Sequence, residues 1–452
     1  MILQNISSRK LIYILSVFFL TVPILTAQNN ATVKHPDWSY KKSIYEVNIR
    51  QYTQEGTFKA FEKHLPRLKE MGVGILWLMP INPIGEKNRK GTAGSYYSVK
   101  DYLSVNPEFG TAEDFKSLIN KIHSMGMYVI VDWVANHTAW DNALAAEHPD
   151  WFTKDDDGNF VPPVADWSDV IDLNYDNNDL RRYMIDALKY WIKEFNIDGY
   201  RCDVAGMVPT EFWIEARKEL DEIKDVFMLA EWSTPDMHKA FDMTYSWDLF
   251  HLMNDVAAGK KNASDLYNYF AKDFYTYGND DFRMIFTSNH DENSWNGTVF
   301  ERLGNAAETF AVYTFLVPGM PLIYSGQEGG LNKRLEFFEK DLIEWKESSF
   351  GELYKVLVHL KLNNRALYCG ADGGSFIPVM TSSSDTVQAF IRGKNENKLF
   401  AVFNFSPDSK TVYLSSPLIN DDYIDYFTGD TTTFNSSILM KLKPWEYKVF
   451  VK

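Results

Sequence analysis

Acidic, basic and imidazole side chains stand in short polar clusters, each at the end of an apolar run. The stretch "GYRCDVAG", 199–206, carries Arg201 and Asp203 two residues apart. Alternate residues of a strand share a face, so this guanidinium and carboxylate point the same way. "MYVIVDWVANH" holds Asp132, Asn136 and His137, "VFMLAEW" ends on Glu231 and Trp232, and "RMIFTSNHD" ends on Asn289, His290 and Asp291. Taken singly, each cluster reads as a helix cap or a buried ion pair. Polar groups in a buried strand are costly unless they face a site, and four such clusters at matching ends of successive runs are hard to obtain by packing alone.

The set excludes some chemistries. No Ser/His/Asp order stands out, and no His or Cys cluster has metal-ligand spacing. Two carboxylates about 5–5.5 Å apart are the apparatus of a retaining glycosidase. One attacks the anomeric carbon, while the other protonates the leaving oxygen and later deprotonates water. Asp203 suits the nucleophile, because Arg201 beside it lowers its pKa. Glu231 suits the general acid, because apolar neighbours raise a carboxyl pKa.

These side chains need a scaffold that brings strand ends together. Eight strand candidates, 43–50, 73–80, 127–134, 199–205, 226–232, 241–247, 283–291 and 321–328, are each followed by helical sequence. Segments such as 112–126 and 178–195 repeat apolar residues at helical spacing. The count predicts an α/β fold, a (β/α)8 TIM barrel whose site lies at the C-terminal ends of the strands. A doubly wound sheet would carry a glycine-rich phosphate turn after its first strand, where "IRQYTQEGT" stands instead. About 40 residues, 135–177, separate the third strand from its helix, which is too long for an ordinary loop and predicts a short inserted domain. The barrel domain is expected over 28–367, and short strands over 368–452 predict a C-terminal antiparallel β-sandwich.

Composition bounds the partners. A net charge of −15 argues against nucleic acid or an anionic membrane, and fits a neutral substrate. The 15% aromatic share offers flat apolar faces that suit sugar rings. Cys202 and Cys369 are the two cysteines, which sets aside a zinc site or disulfide framework. Residues 1–27 place Arg9 and Lys10 before an apolar stretch and end on small residues, the pattern of a secretory signal peptide. The stretch is short for a span and holds Ser16, Thr21 and Pro23, so no membrane span is expected after signal removal, and the protein is expected to be exported, periplasmic or secreted.

At this point the motifs resemble the α-amylase superfamily, glycoside hydrolase family thirteen. "DWVANH", "GYRCDVAG", "EW" after an apolar strand, and "TSNHD" look like the family's four motifs in order. The resemblance implies Asp203 as nucleophile, Glu231 as acid/base and Asp291 as the third carboxylate, which stabilises the transition state and grips hydroxyls. It places Arg201, His137 and His290 at the cleavage subsite, and Asp132 in support. "SYYSVKDY" resembles a family segment whose aromatic stacks on the cleaved sugar, which selects Tyr97. Trp232 is expected to stack on substrate; Trp140, Trp151, Trp167 and Trp295 are further aromatics near the mouth. The family often carries a structural Ca2+, for which Asn136 and Asp172 match ligand positions, although calcium wants several oxygens. The family's amylases commonly have Lys-His after the nucleophile, where Gly206 and Met207 stand here. The implied activity is retaining hydrolysis of α-1,4 bonds in starch or maltooligosaccharides. An α-glucan transglycosylase, or a cyclodextrin or pullulan hydrolase, would use the same residues. A non-catalytic glucan-binding protein would have lost a carboxylate, and all three are present.

Overall fold

Each of the eight apolar runs forms a short parallel strand, and the eight strands close on themselves. The computed structural model describes residues 33–452, so the signal-like stretch 1–27 lies outside the described residues. The strands in chain order are β1 (Ile44–Val47), β2 (Ile75–Leu78), β3 (Tyr128–Trp133), β4 (His137–Ala139), β5 (Val170–Asp172), β6 (Gly199–Cys202), β7 (Phe227–Ala230), β8 (Met243–Tyr245), β9 (Phe282–Ile285) and β10 (Met320–Tyr324). Around the barrel they run β1-β10-β9-β8-β7-β6-β3-β2. Their residues are buried on both faces, which is why they read as continuous apolar runs rather than alternating ones.

The alternation still sorts the side chains. Ile44, Ile75, Trp77, Ile130, Leu229 and Met284 belong to one cluster that fills the barrel interior. Their strand neighbours Tyr45, Leu76, Val129, Met228 and Ile285 join a second cluster under the helices. The helix Ala112–Ser124 starts at a capping box between Thr111 and Asp114, and the helix Asn178–Phe195 starts at the Asn177 side chain, which accepts from two backbone N–H groups. Both helices therefore begin at fixed positions, and the strands that follow them are placed accordingly.

The insert between β3 and the next barrel strand is built on the antiparallel pair β4 and β5, with His137 opposite Asp172. Buried Tyr102 ties it down, donating its hydroxyl to the carbonyls of Val134 and His137. After the last barrel helix, Ser349–Asn363, the chain forms a six-stranded and a three-stranded antiparallel sheet. Val387, Ile391, Phe400, Val412 and Leu414 fill the space between them. Phe403 and Phe405, on the other side, pack against Phe310 and Tyr313 of the helix Ala307–Leu316. Cys202 and Cys369 are free and buried. No helix among the described residues is long and apolar enough to cross a membrane.

Gly199 opens β6 with φ +148°, and a Cβ there would lie 1.9 Å from the Phe227 carbonyl oxygen on the next strand. Only glycine fits that approach. Gly199→Ala is expected to cost about 3 kcal/mol, the cost of forcing atoms into a packed core, and to lower Tm measurably. Gly259→Ala, where a Cβ meets nothing within 4 Å, is the matched control at φ +71°. Equal Tm values for the two variants in a calorimetric comparison would show that β6 yields at this point.

Candidate active site

Arg201 points inward from β6 and is completely buried. Its Nη1 donates to Asp132 Oδ1 at 2.9 Å and to Asp203 Oδ1 at 2.9 Å. Its Nη2 lies 2.8 Å from Glu231 Oε2, an ion pair off the hydrogen-bonding line. Its face lies over the Trp77 ring at 5.0 Å, and Trp77 Nε1 donates to Asp132 Oδ2 at 3.1 Å. The barrel register sets this up, because β3 pairs Asp132 with Arg201 and β6 pairs Arg201 with Leu229.

This arrangement corrects one expectation. Arg201 is not dedicated to Asp203; three carboxylates share it. Burial pushes Asp203 up to about 6, and the guanidinium offsets only part of that rise. Burial pushes Glu231 further, to about 7, with the charges of Asp203 and Asp291 adding to the effect. Asp132 rises to about 6 for the same first reason. Burial thus raises both central carboxyls, and Arg201 opposes the rise at each.

Val204, next after Asp203, has φ +36° and ψ +47°. A β-branched residue in the left-handed region is strained. The strain aims the Val204 N–H at Glu231 Oε2, 2.8 Å away. Trp232, expected to stack on substrate, does not line the cavity. Its indole packs against Gly206, where a Cβ would come within 2.1 Å of the ring. The indole thus fills the space that a side chain at 206 would need, which accounts for glycine there.

Asp291 follows β9, with His290 beside it. Glu46, fully buried on β1, accepts from His290 Nδ1. On its other side His290 Nε2 lies 2.8 Å from the Tyr97 hydroxyl and 3.2 Å from Asp291 Oδ2. Burial disfavours charge on the imidazole, but Asp291 and Glu46 outweigh it and hold His290 well above its usual pKa. Burial also raises Asp291, and the His290 imidazolium outweighs that, leaving Asp291 below the ordinary range. Tyr97 donates to Asp132 Oδ2 at 3.1 Å and stacks on His290 with ring centres 5.5 Å apart. His137 lies with Nε2 4.0 Å from Asp203 Oδ2, and burial holds it neutral, at about 3.

Of these groups, Tyr97, His137, Asp203, Glu231 and Asp291 line a cavity of about 550 Å³ that also takes in Trp167, Trp295, Phe337 and Phe338, while Arg201, Asp132, His290 and Glu46 lie behind its wall. That volume is within the usual range of small-ligand sites. Trp151 is buried against His148, and the Trp140 indole donates to the Ser168 carbonyl, so neither reaches the cavity. Glu46, Phe337 and Phe338 were not singled out from sequence. Glu46 was visible as a lone acid in the apolar run "SIYEVNIR"; the two phenylalanines come from a loop with no motif.

Asn136 and Asp172, the two residues matched to calcium-ligand positions, both have partners within the protein. The Asn136 amide lies 3.2 Å from His137 Nδ1, and Asp172 Oδ2 accepts from the Thr153 hydroxyl at 2.6 Å. Among the described residues, no three His, Cys, Asp or Glu side chains converge as metal ligands.

Comparison with known proteins agrees with the fold and the motifs. A family model described as the alpha amylase catalytic domain matches residues 39–169 and 151–352. A second, the alpha amylase C-terminal all-beta domain, matches 380–446. Alpha-amylase 2 of Dictyoglomus thermophilum is 26% identical over 443 residues, covering 88% of this chain and 74% of that protein. The crystal structure of a noncanonic maltogenic alpha-amylase, AmyB, from Thermotoga neapolitana is 33% identical with a TM-score of 0.84, over 91% of this chain and 98% of that one. An alpha-amylase from Lactobacillus plantarum is 32% identical with a TM-score of 0.82, over 91% and 99%.

The pKa values set a pH profile. With Asp203 as the expected nucleophile and Glu231 as the expected general acid, kcat/KM should fall below about pH 6 and above about pH 7. A profile flat from about pH 5 to about pH 9 would contradict this assignment. Glu46 acts through His290. Glu46→Gln removes the buried counter-charge that raises the His290 pKa and is expected to lower kcat about tenfold or more, leave KM nearly unchanged, and add a second alkaline loss as His290 gives up its proton at lower pH than in the wild type. A loss that moves with Tm while the pH profile stays fixed would mark Glu46 as merely structural.

Proposed function

The chain belongs to the α-amylase family of glycoside hydrolases, and from that premise we propose that it hydrolyses α-1,4-glucosidic bonds in starch-derived maltooligosaccharides with retention. The observation that carries this reading is the shared arginine. It touches both Asp203 and Glu231, so the two carboxyls address one sugar. Asp203 attacks the anomeric carbon as the glycosidic C–O bond breaks and Glu231 passes its proton to the leaving oxygen. A glycosyl ester on Asp203 results. Water then attacks the same carbon, gives its proton to Glu231 and releases Asp203. Asp291, paired with the His290 imidazolium, grips sugar hydroxyls and faces the positive charge that develops on the ring. Neutral His137 is left to hydrogen-bond rather than repel that charge.

The Thermotoga neapolitana relative is described as maltogenic, which supports maltose among the products. Transfer to a sugar hydroxyl instead of water is the second reading, favoured by exposed Met207 standing where the family's amylases commonly carry a histidine. We read residues 1–27 as an export signal, which puts the activity outside the cytoplasm.

Asp203→Asn is expected to reduce turnover of maltoheptaose and soluble starch by at least about a thousandfold while Tm stays within a few degrees. Proton NMR of the first product should show the α anomer in the wild type. Activity of the variant within about tenfold of wild type, or a β anomer first, would overturn the nucleophile assignment.

A further inference from the structure

Lys90 stands where three loops meet. It belongs to the segment after β2, and its ammonium donates to the Asp166 carbonyl at 2.6 Å and pairs with Asp169 Oδ1 at 3.1 Å. Both partners lie in the insert after β3. The same ammonium sits 5.8 Å from the centre of the Phe338 ring, in the loop after β10. A backbone seam continues the junction: the Ala93 N–H donates to the Phe338 carbonyl at 3.0 Å, and the Thr92 N–H to Glu339 Oε1 at 2.9 Å. Gly91 makes this approach feasible, since a Cβ there would lie 2.5 Å from Phe338 Cβ. Lys90, Asp166, Asp169 and Phe338 all line the cavity that holds the carboxylates.

The barrel order gives this wall a direction. The loops after β10, β2 and β3 form one arc of the rim, separated only by β1, and Glu231 follows β7 on the opposite arc. A general acid must stand beside the leaving oxygen, so the leaving sugar departs on the Glu231 side. The Lys90 arc therefore faces the part of the chain that stays on Asp203. We propose that Lys90 seals that end of the cleft and is a specificity-determining residue. It admits only a short glycone, so the enzyme releases glucose or maltose from chain ends rather than cutting inside a chain. This rests on the glucan hydrolase reading above.

The test compares wild type, Lys90→Ala and Lys90→Met on maltoheptaose, with products resolved at early times. Wild type is expected to give glucose or maltose with the matching long fragment. Both variants should raise mid-length first products at least about fivefold relative to glucose and maltose. Mid-length first products from wild type, or variants with the wild-type pattern, would overturn the seal while leaving the hydrolase standing. A binding arm separates the two readings: in the Asp203→Asn background, calorimetry compares maltotriose with maltoheptaose. Lys90→Ala should increase the preference for maltoheptaose about threefold or more. An unchanged preference overturns the seal. An increased preference with no turnover in the Asp203 enzyme supports the seal and sinks the hydrolase reading.

Discussion

A single buried guanidinium holds the site together. Arg201 is fully buried, and a buried charge is tolerated only when it is paired and hydrogen-bonded. Asp132, Asp203 and Glu231 supply that pairing from the ends of three different strands. The dependence runs both ways. Without Arg201, three carboxylates would crowd an apolar barrel mouth; without them, the arginine would be an uncompensated cation. A lysine could not replace it, because a point charge cannot present separate N–H groups to separate partners in one plane. The rest of the barrel can be understood as what keeps those strand ends in register.

The register in turn comes from ordinary packing. Trp77, Ile130 and Leu229 fill the interior beneath the site and keep water from the underside of the ion pairs. Gly199 lets β6 approach β7 closely enough for Arg201 and Glu231 to meet. The second ion-pair system, Glu46–His290–Asp291, closes the far side of the cavity and is tied to the first through the Tyr97 hydroxyl. Two charged networks, each buried and each satisfied mostly internally, thus meet on one aromatic ring. The C-terminal sheets touch neither. Their aromatic side packs on the helix Ala307–Leu316, which braces β10 from behind.

The barrel was legible because its strands are buried on both faces and read as apolar runs between amphipathic helices. Every one of the eight predicted runs overlaps a barrel strand, and two of the strands begin one residue earlier than the run. The elements that escaped have weaker patterns. The helix Trp247–Ala257 begins inside the apolar tail of a strand, so its period is hidden. The strands Asp421–Asp425 and Thr431–Phe434 present charged and threonine side chains to water, which mimics loop composition. At the site, residues fixed to strand ends were readable and residues delivered by loops were not. Asp203 and Glu231 carry motif spacing, whereas Phe337 and Phe338 reach the cavity through a loop whose path sequence does not encode locally. Trp232 was misplaced for a related reason: adjacency to Glu231 in sequence says nothing about which way an indole turns after the strand ends, and Gly206 opened another place for it. The share of Arg201 taken by Glu231 and Asp132 was equally invisible, since it depends on pairing between strands.

The sharing has a consequence for the catalytic cycle proposed above, in which Asp203 is the nucleophile and Glu231 the acid/base. Glu231 is held protonated first by burial and then by the negative charge of Asp203 nearby. When Asp203 attacks the sugar it becomes an ester and its charge disappears. The repulsion that favoured the proton on Glu231 disappears with it, and Arg201, relieved of one anion, pairs more fully with the others. Glu231 has just lost its proton to the leaving oxygen, and the new charge distribution keeps it ionised. It is then the base that the second step requires. When water restores the Asp203 carboxylate, the repulsion returns and Glu231 regains its affinity for a proton. The acid/base alternation is thus driven by the nucleophile's own charge, relayed through the arginine that all three carboxylates share.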